Sequence, residues 1–90
     1  MFTFDPTKNV RNIAKHGLEL AFGALVLADP YAAEEIDDRM DYGETRWNAL
    51  GMVDGVVYVL TYVDRDDGPH FISVRRAAAK EITRYIQVRG

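Results

Sequence analysis

The segment HFISVRRAAAKEITRYIQV, residues His70–Val88, decides how this chain folds and where its positive charge lies. Its start, Phe71-Ile72-Ser73-Val74, is β-branched and aromatic and predicts a strand, whereas the alanine-led remainder has helical spacing. A strand therefore delivers Arg75 and Arg76 to the beginning of a helix. We expect Ile72 and Val74 on one face of that strand and Phe71, Ser73 and Arg75 on the other.

Charge is distributed along the chain in three blocks. Residues 1–18 carry three bases and one acid, residues 19–69 three bases and twelve acids, and residues 70–90 five bases and one acid, within a total of −3. A fold that joined the two basic ends would concentrate positive potential on one side and attract phosphate. The alternative, which charge alone favours, is that these are ordinary solvated side chains.

Composition limits the class of protein. The 90 residues, of which 48% are hydrophobic, make one domain, residues 1–90. The absence of cysteine excludes disulfides, a thiol nucleophile and thiolate metal sites. Neither a signal peptide nor an apolar run long enough for a bilayer is present, so we expect a cytoplasmic protein that does not contact membranes. Without a glycine-rich phosphate loop, cofactor motif or nucleophile elbow, we expect no cofactor and disfavour a metabolic enzyme.

The first 17 residues predict a short edge strand at residues 2–4 and then a helix. Asp5-Pro6 has the pattern of an N-cap followed by a proline in the first turn, and Gly17 is typical of a helix end. We expect the apolar residues at 10, 13 and 14 to form its buried stripe. His16 lies in the last turn, where the helix dipole favours the protonated imidazole, and a purely structural histidine is the alternative.

The apolar segment Leu18–Leu27 predicts a second helix, ended by Asp29-Pro30. Because it is apolar nearly all round, it should be buried on more than one side. We expect residues 20, 24 and 27 in the core and a patch of Phe22 and Val26 exposed for another chain.

The middle of the chain predicts a sheet. Tyr31–Ile36 suits a strand, and an acidic loop containing Asp41 follows, without the spacing or histidine partner of a metal site. Residues 44–53 and 56–64 form a hairpin around Asp54-Gly55, whose two-residue turn fixes the register. Together with the first strand and the strand at 70–75, this predicts an α+β domain with an antiparallel sheet in the order β-α-α-β-β-β-β-α.

Several short motifs, in their order and spacing, resemble the BrnT family of toxins over nearly the whole chain. They are Lys15-His16-Gly17, Asp29-Pro30, the E-x-R of Glu44 to Arg46, Gly51, Tyr62, and the closing I-S-x-R-R-A…E…Y that runs from Ile72 to Tyr85. The chain departs from the family at Ala79 and Ile82, which stand where relatives are usually basic, and this predicts weaker attraction of phosphate.

The resemblance implies a RelE-like fold and a metal-independent endoribonuclease that inhibits translation. It also implies a partner, a BrnA-type antitoxin with a ribbon-helix-helix domain, through which alone the chain would contact DNA, and a complex that could hold a homodimer of the toxin. RNA cleavage needs a base for the 2′-OH, cations for the phosphorane and an acid for the leaving oxygen.

We assign the expected roles from this chemistry. Arg46 and Arg75 stabilise the phosphate, His16 is the base or acid, and Glu81 or Tyr85 is its counterpart or orienter. The expected RNA-binding residues are Lys15, Tyr62 as a stacking ring, Arg76, Lys80 and Arg84. The structural alternatives are that Arg75 and Arg76 pair with the acidic middle, that Glu81 pairs with Arg84, and that Tyr85 is core packing. The alternative function is a non-catalytic module that docks the antitoxin and acts as its co-repressor.

Overall fold

The protein, described by a computed structural model over residues 1–39 and 43–89, is built from one sheet and three α-helices. Its elements are β1 (Thr3–Phe4), α1 (Pro6–His16), a 3-10 turn (Leu20–Phe22), α2 (Gly23–Leu27), β2 (Ala33–Asp37), β3 (Arg46–Val53), β4 (Val56–Arg65), β5 (Gly68–Arg76) and α3 (Ala79–Arg89). Asp41 of the expected acidic loop lies outside the described residues. No helix in the described ranges is long and apolar enough to cross a membrane.

The five strands form one sheet in the order β1-β5-β4-β3-β2. The α+β class is confirmed, but the prediction of an antiparallel sheet is wrong at one edge, because β1 pairs with β5 in parallel. No tight turn joins these two strands, so the direction of β1 is set by packing. The ring of Phe2 stacks on that of Phe71, with centroids 4.6 Å apart.

The hairpin of β3 and β4 has the register that its turn predicts. Trp47 pairs with Tyr62, Ala49 with Leu60 and Gly51 with Tyr58, so the prediction is confirmed. Asp54 and Gly55 both have positive φ, 49° and 80°, as a two-residue turn of this kind requires.

Strand β5 departs from the predicted alternation. Phe71 and Val74 both lie in one core, although three positions separate them, because a bulge opposite Thr61 and Tyr62 inserts an extra residue. The expected grouping of Ile72 with Val74 against Phe71 is therefore wrong. Beyond the bulge Arg75 pairs with Val59 and points to the opposite face from Val74.

Helix α1 begins and ends as predicted but is rotated about its axis. The Asp5 carboxylate accepts a hydrogen bond from the Thr7 amide, and Gly17 has φ 71°. The predicted apolar stripe is wrong, since Val10 and Ile13 are 67% and 42% exposed. The buried residue of the helix is Asn12.

Asn12 explains this rotation. Its amide nitrogen donates to the carbonyls of Leu18 and Val74, and its side-chain oxygen accepts from the Val74 amide. The side chain thus completes the hydrogen bonding of β5 beyond the end of β1, as a neighbouring strand would. The polar side of α1 is held against the sheet edge for this reason.

Two cores lie on the two faces of the sheet. The first contains Leu20, Val26, Leu60 and Phe71 and is covered by the 3-10 turn and α2. Val26 is fully buried and Phe22 packs edge-on against Tyr58, so the predicted exposed patch is wrong. The sheet approaches α2 closely at Gly51, where a Cβ would lie 2.3 Å from the Val26 carbonyl oxygen.

The second core is smaller and leaves part of its face open. Leu50, Val57 and Val59 pack there with Tyr85 of α3. Past α3 the same face continues as Asn48, Thr61 and Ser73, which are aligned across β3, β4 and β5. Of these three residues, Ser73 lines the candidate site.

Candidate cation-lined active site

A cavity of about 430 Å³ lies between α1 and the open part of the sheet. The residues that line it are Lys8, Arg11, Asn12, Lys15 and His16 of α1, Arg39, Arg46 of β3, and Ile72, Ser73 and Arg75 of β5. Six of these are lysine or arginine, and none of the described lining residues is acidic. A chain with a net charge of −3 thus concentrates positive charge at one place, which suits a polyanion.

Arg75 is held in a fixed orientation by Glu81. Its two terminal nitrogens donate to the two carboxylate oxygens of Glu81 at 2.7 and 2.8 Å, and one of them also contacts the Arg76 carbonyl at 3.3 Å. These bonds use three of the five N–H donors of the guanidinium, and the others remain for a ligand. The pairing raises the pKa of Arg75 and lowers the pKa of Glu81.

Arg46 and Arg39 form a further cationic part of the cavity wall. Arg39 makes a bidentate pair with the buried carboxylate of Asp37, at 2.8 and 2.9 Å. Hydrogen bonding from Arg39 lowers the pKa of Asp37 despite the burial of that carboxyl, and the charge of Arg46 contributes. Asp37 therefore stays ionised and anchors this cationic wall.

His16 lies in the cavity with a pKa below its ordinary value. Partial burial is the largest cause, and the positive charges of Lys15 and Arg75 act in the same direction. Burial and the neighbouring cations thus act against the protonated form, which the helix dipole favours at this position. A neutral imidazole at pH 7 can accept a proton.

The structure thus brings four of the predicted site residues together: Lys15, His16, Arg46 and Arg75. Glu81 joins them indirectly through Arg75 and not through Arg84, which pairs instead with Glu35.

Other predicted residues lie elsewhere. Tyr85 is 1% exposed and its hydroxyl donates to Asp29. It is therefore a packing residue, and its hydroxyl is not placed to transfer a proton in the cavity. Tyr62 is buried in the first core and donates to Glu34 at 2.5 Å, with burial raising its pKa, so its ring is not exposed for stacking on a base. Arg76 pairs with Tyr58 on the opposite face from Arg75, and Lys80 and Arg84 are exposed outside the cavity lining.

Five polar lining residues, Lys8, Arg11, Asn12, Arg39 and Ser73, are missing from the sequence-based site. A signal for two of them exists in the spacing, since Lys8, Arg11 and Lys15 lie at i, i+3 and i+7 of one helix and share a face. The apolar residues of α1 predict the opposite side of the helix as the buried one. Arg39 and Ser73 depend on contacts that the sequence does not indicate.

A metal centre has no support in the described residues. No group of three or more His, Cys, Asp or Glu side chains in residues 1–39 and 43–89 is arranged to hold a metal ion. The lining of the cavity, with one imidazole and six cations, has the donor set of an anion site.

Comparison with known proteins identifies one family. A family model described as "Ribonuclease toxin, BrnT, of type II toxin-antitoxin system" matches residues 4–81. Among curated proteins, none matches the chain.

Proposed function

Because the chain belongs to the BrnT family of ribonuclease toxins, we propose that it is a metal-independent endoribonuclease whose active site is the cation-lined cavity. The proposal includes a RelE-like ribonuclease fold, a cytoplasmic location and the inhibition of translation by cleavage of RNA. Its main support is that His16, Arg46 and Arg75 line the same cavity.

The first step is attack of the ribose 2′-oxygen on the neighbouring phosphorus. His16 takes the 2′-OH proton, since its lowered pKa leaves the imidazole neutral at pH 7. The bond from phosphorus to the 5′-oxygen breaks, and a protonated group returns a proton to that oxygen. Lys15, beside His16, is our candidate for this acid. The products are a 2′,3′-cyclic phosphate and a 5′-hydroxyl.

The arginines stabilise the negative charge that develops on the phosphorane. Arg75 is oriented by Glu81 and keeps N–H donors for phosphate oxygens, and Arg46 lines the same cavity. We assign Glu81 as a positioning residue, because its lowered pKa keeps it ionised and prevents it from acting as an acid.

The experiment is cleavage of RNA by the purified chain, freed from any antitoxin. We expect His16→Ala to reduce the rate about 100-fold or more, the usual contribution of a general base. Arg89→Ala, on the last turn of α3, is the matched control and should cleave as the wild type does. Equal cleavage by wild type and His16→Ala would refute the assignment of the base.

The family is one of type II toxin–antitoxin systems, so an antitoxin partner is implied. We propose that this antitoxin is a BrnA-type ribbon-helix-helix protein. The chain would contact DNA only through the antitoxin, and the complex could contain a homodimer of the toxin. A second candidate function, a docking module without catalysis, is favoured by the exposed apolar pair Ile82 and Ile86 on α3. Expression in bacteria separates the two, since only the nuclease predicts growth arrest that His16→Ala abolishes.

A further inference from the structure

Helix α1 presents a row of cations to the cavity. Lys8, Arg11 and Lys15 lie at i, i+3 and i+7, and all three line the cavity. The rise of an α-helix separates the first and last by about 10.5 Å along the axis, the span of about three stacked nucleotides at about 3.4 Å each. A single row of this length matches the backbone of one strand.

These three cations have no acidic partner within the described residues. The salt bridges there involve Arg39, Arg65, Arg75 and Arg84, and none involves Lys8, Arg11 or Lys15. A nearby acid would compete with phosphate for these cations, so their charge is fully available to a polyanion.

Helix α1 turns these three cations toward the cavity, although the hydrophobic effect would favour burial of its apolar side. Val10 and Ile13 remain exposed, although burying such a side chain would be worth about 1.5–3 kcal/mol. The hydrogen bonds of Asn12 to Val74 hold the polar side inward instead. The cationic row is therefore a fixed feature of the cavity wall.

We infer that single-stranded RNA runs along α1, with Lys8 and Arg11 binding the phosphates that flank the scissile one. This inference rests on the proposed function and extends it, because it names the path of the substrate. The basic residues of α3 do not lie on this path, since Lys80 and Arg84 are outside the cavity and Arg84 is paired with Glu35.

Binding of a short single-stranded RNA, 2′-O-methylated at every position, tests the path. This RNA lacks the attacking hydroxyl and cannot be cleaved. Fluorescence anisotropy between about 50 and 200 mM salt gives the slope of log K against log salt, to which each phosphate contact contributes about 0.7 on a single strand. We expect the double variant Lys8→Ala/Arg11→Ala to lower the magnitude of this slope by about 1.4.

Two further double variants complete the comparison. Arg65→Ala/Arg89→Ala removes the same charge away from the cavity and should leave the slope unchanged. Lys80→Ala/Arg84→Ala tests a path along α3 and should also leave it unchanged. With a cleavable RNA, loss of Lys8 and Arg11 should raise KM with kcat within about a factor of two, because both residues bind the ground and transition states alike. Alanine favours the helix, so folding is expected to be preserved.

The inference is overturned if the Lys8 and Arg11 variant keeps the wild-type slope, if the α3 variant alone lowers it, or if the wild type fails to bind the methylated RNA. Failure of the proposed function has a different signature. The wild type would then not cleave unmodified RNA, or would cleave it no faster than His16→Ala does. Either result is independent of the slopes measured in the binding experiment.

Discussion

The hydrogen bonds of Asn12 fix the orientation of α1 against the sheet. The substitution Asn12→Ala tests this role directly. The side chain is 5% exposed and makes three hydrogen bonds, to the Leu18 carbonyl at 2.8 Å and to the Val74 carbonyl and amide at 2.9 and 3.1 Å. Alanine removes all three and leaves the backbone groups of Val74 buried without partners.

The expected loss follows from these bonds. Each hydrogen bond contributes about 0.5–1.5 kcal/mol net, and each buried group left unpaired costs about 1–3 kcal/mol. We therefore expect Asn12→Ala to lower the free energy of unfolding by about 3–5 kcal/mol. The free energy of unfolding of a domain of this size is about 5–13 kcal/mol, so the variant should lose a large part of its stability. At about 4–8 °C per kcal/mol, Tm should fall by at least about 12 °C.

Urea unfolding followed by circular dichroism measures this change, provided that the m-value stays constant. Val10→Ala is the control on the same helix, because Val10 is 67% exposed, and it should alter stability by no more than about 0.5 kcal/mol. Asn12→Asp keeps the acceptor, loses both donors and places a carboxylate against two carbonyls, so it should be at least as damaging at pH 7. A loss below about 1 kcal/mol for Asn12→Ala would refute the view that this side chain fixes α1.

Three further predictions concern pH and packing. The rise of the cleavage rate with pH should have its midpoint below 6.5, because the pKa of His16 is lowered, and a midpoint at or above 6.5 would contradict this. Glu81→Gln should destabilise the chain at pH 7, and urea titrations at several pH values should show this difference from the wild type vanishing in acid. Pairing with Arg75 lowers the pKa of Glu81 below its ordinary value of 4.5, so its contribution to stability is present above pH 4.5 and is lost as pH falls through the folded pKa. A difference independent of pH would contradict the pairing with Arg75. Gly51→Ala should lower stability by about 1–3 kcal/mol in thermal unfolding, because the new Cβ would lie 2.3 Å from the Val26 carbonyl oxygen. An unchanged Tm would show that α2 can move away without loss of stability.

Local signals in the sequence determined the ends of α1 and the register of the hairpin. Asp5, Pro6 and Gly17 define α1, because capping is decided by residues adjacent in the chain. Asp54-Gly55 fixes the hairpin register for the same reason. Lys15, His16, Arg46 and Arg75 were also recognisable as candidates, since their residue types suit phosphate chemistry and match the family's motifs.

Tertiary structure alone decided which side of each element faces the cavity. The rotation of α1 depends on Asn12 meeting Val74, 62 residues later in the chain, and helical periodicity predicted the opposite side. The bulge in β5 places Phe71 on the face of Val74, where simple alternation grouped it with Ser73 and Arg75. Tyr85 is a core residue because its ring packs against strands β3 and β4, and its hydroxyl donates a hydrogen bond to Asp29, far away in sequence. Periodicity within one element identifies which residues share a face, but the partner of that face is set by contacts between distant segments.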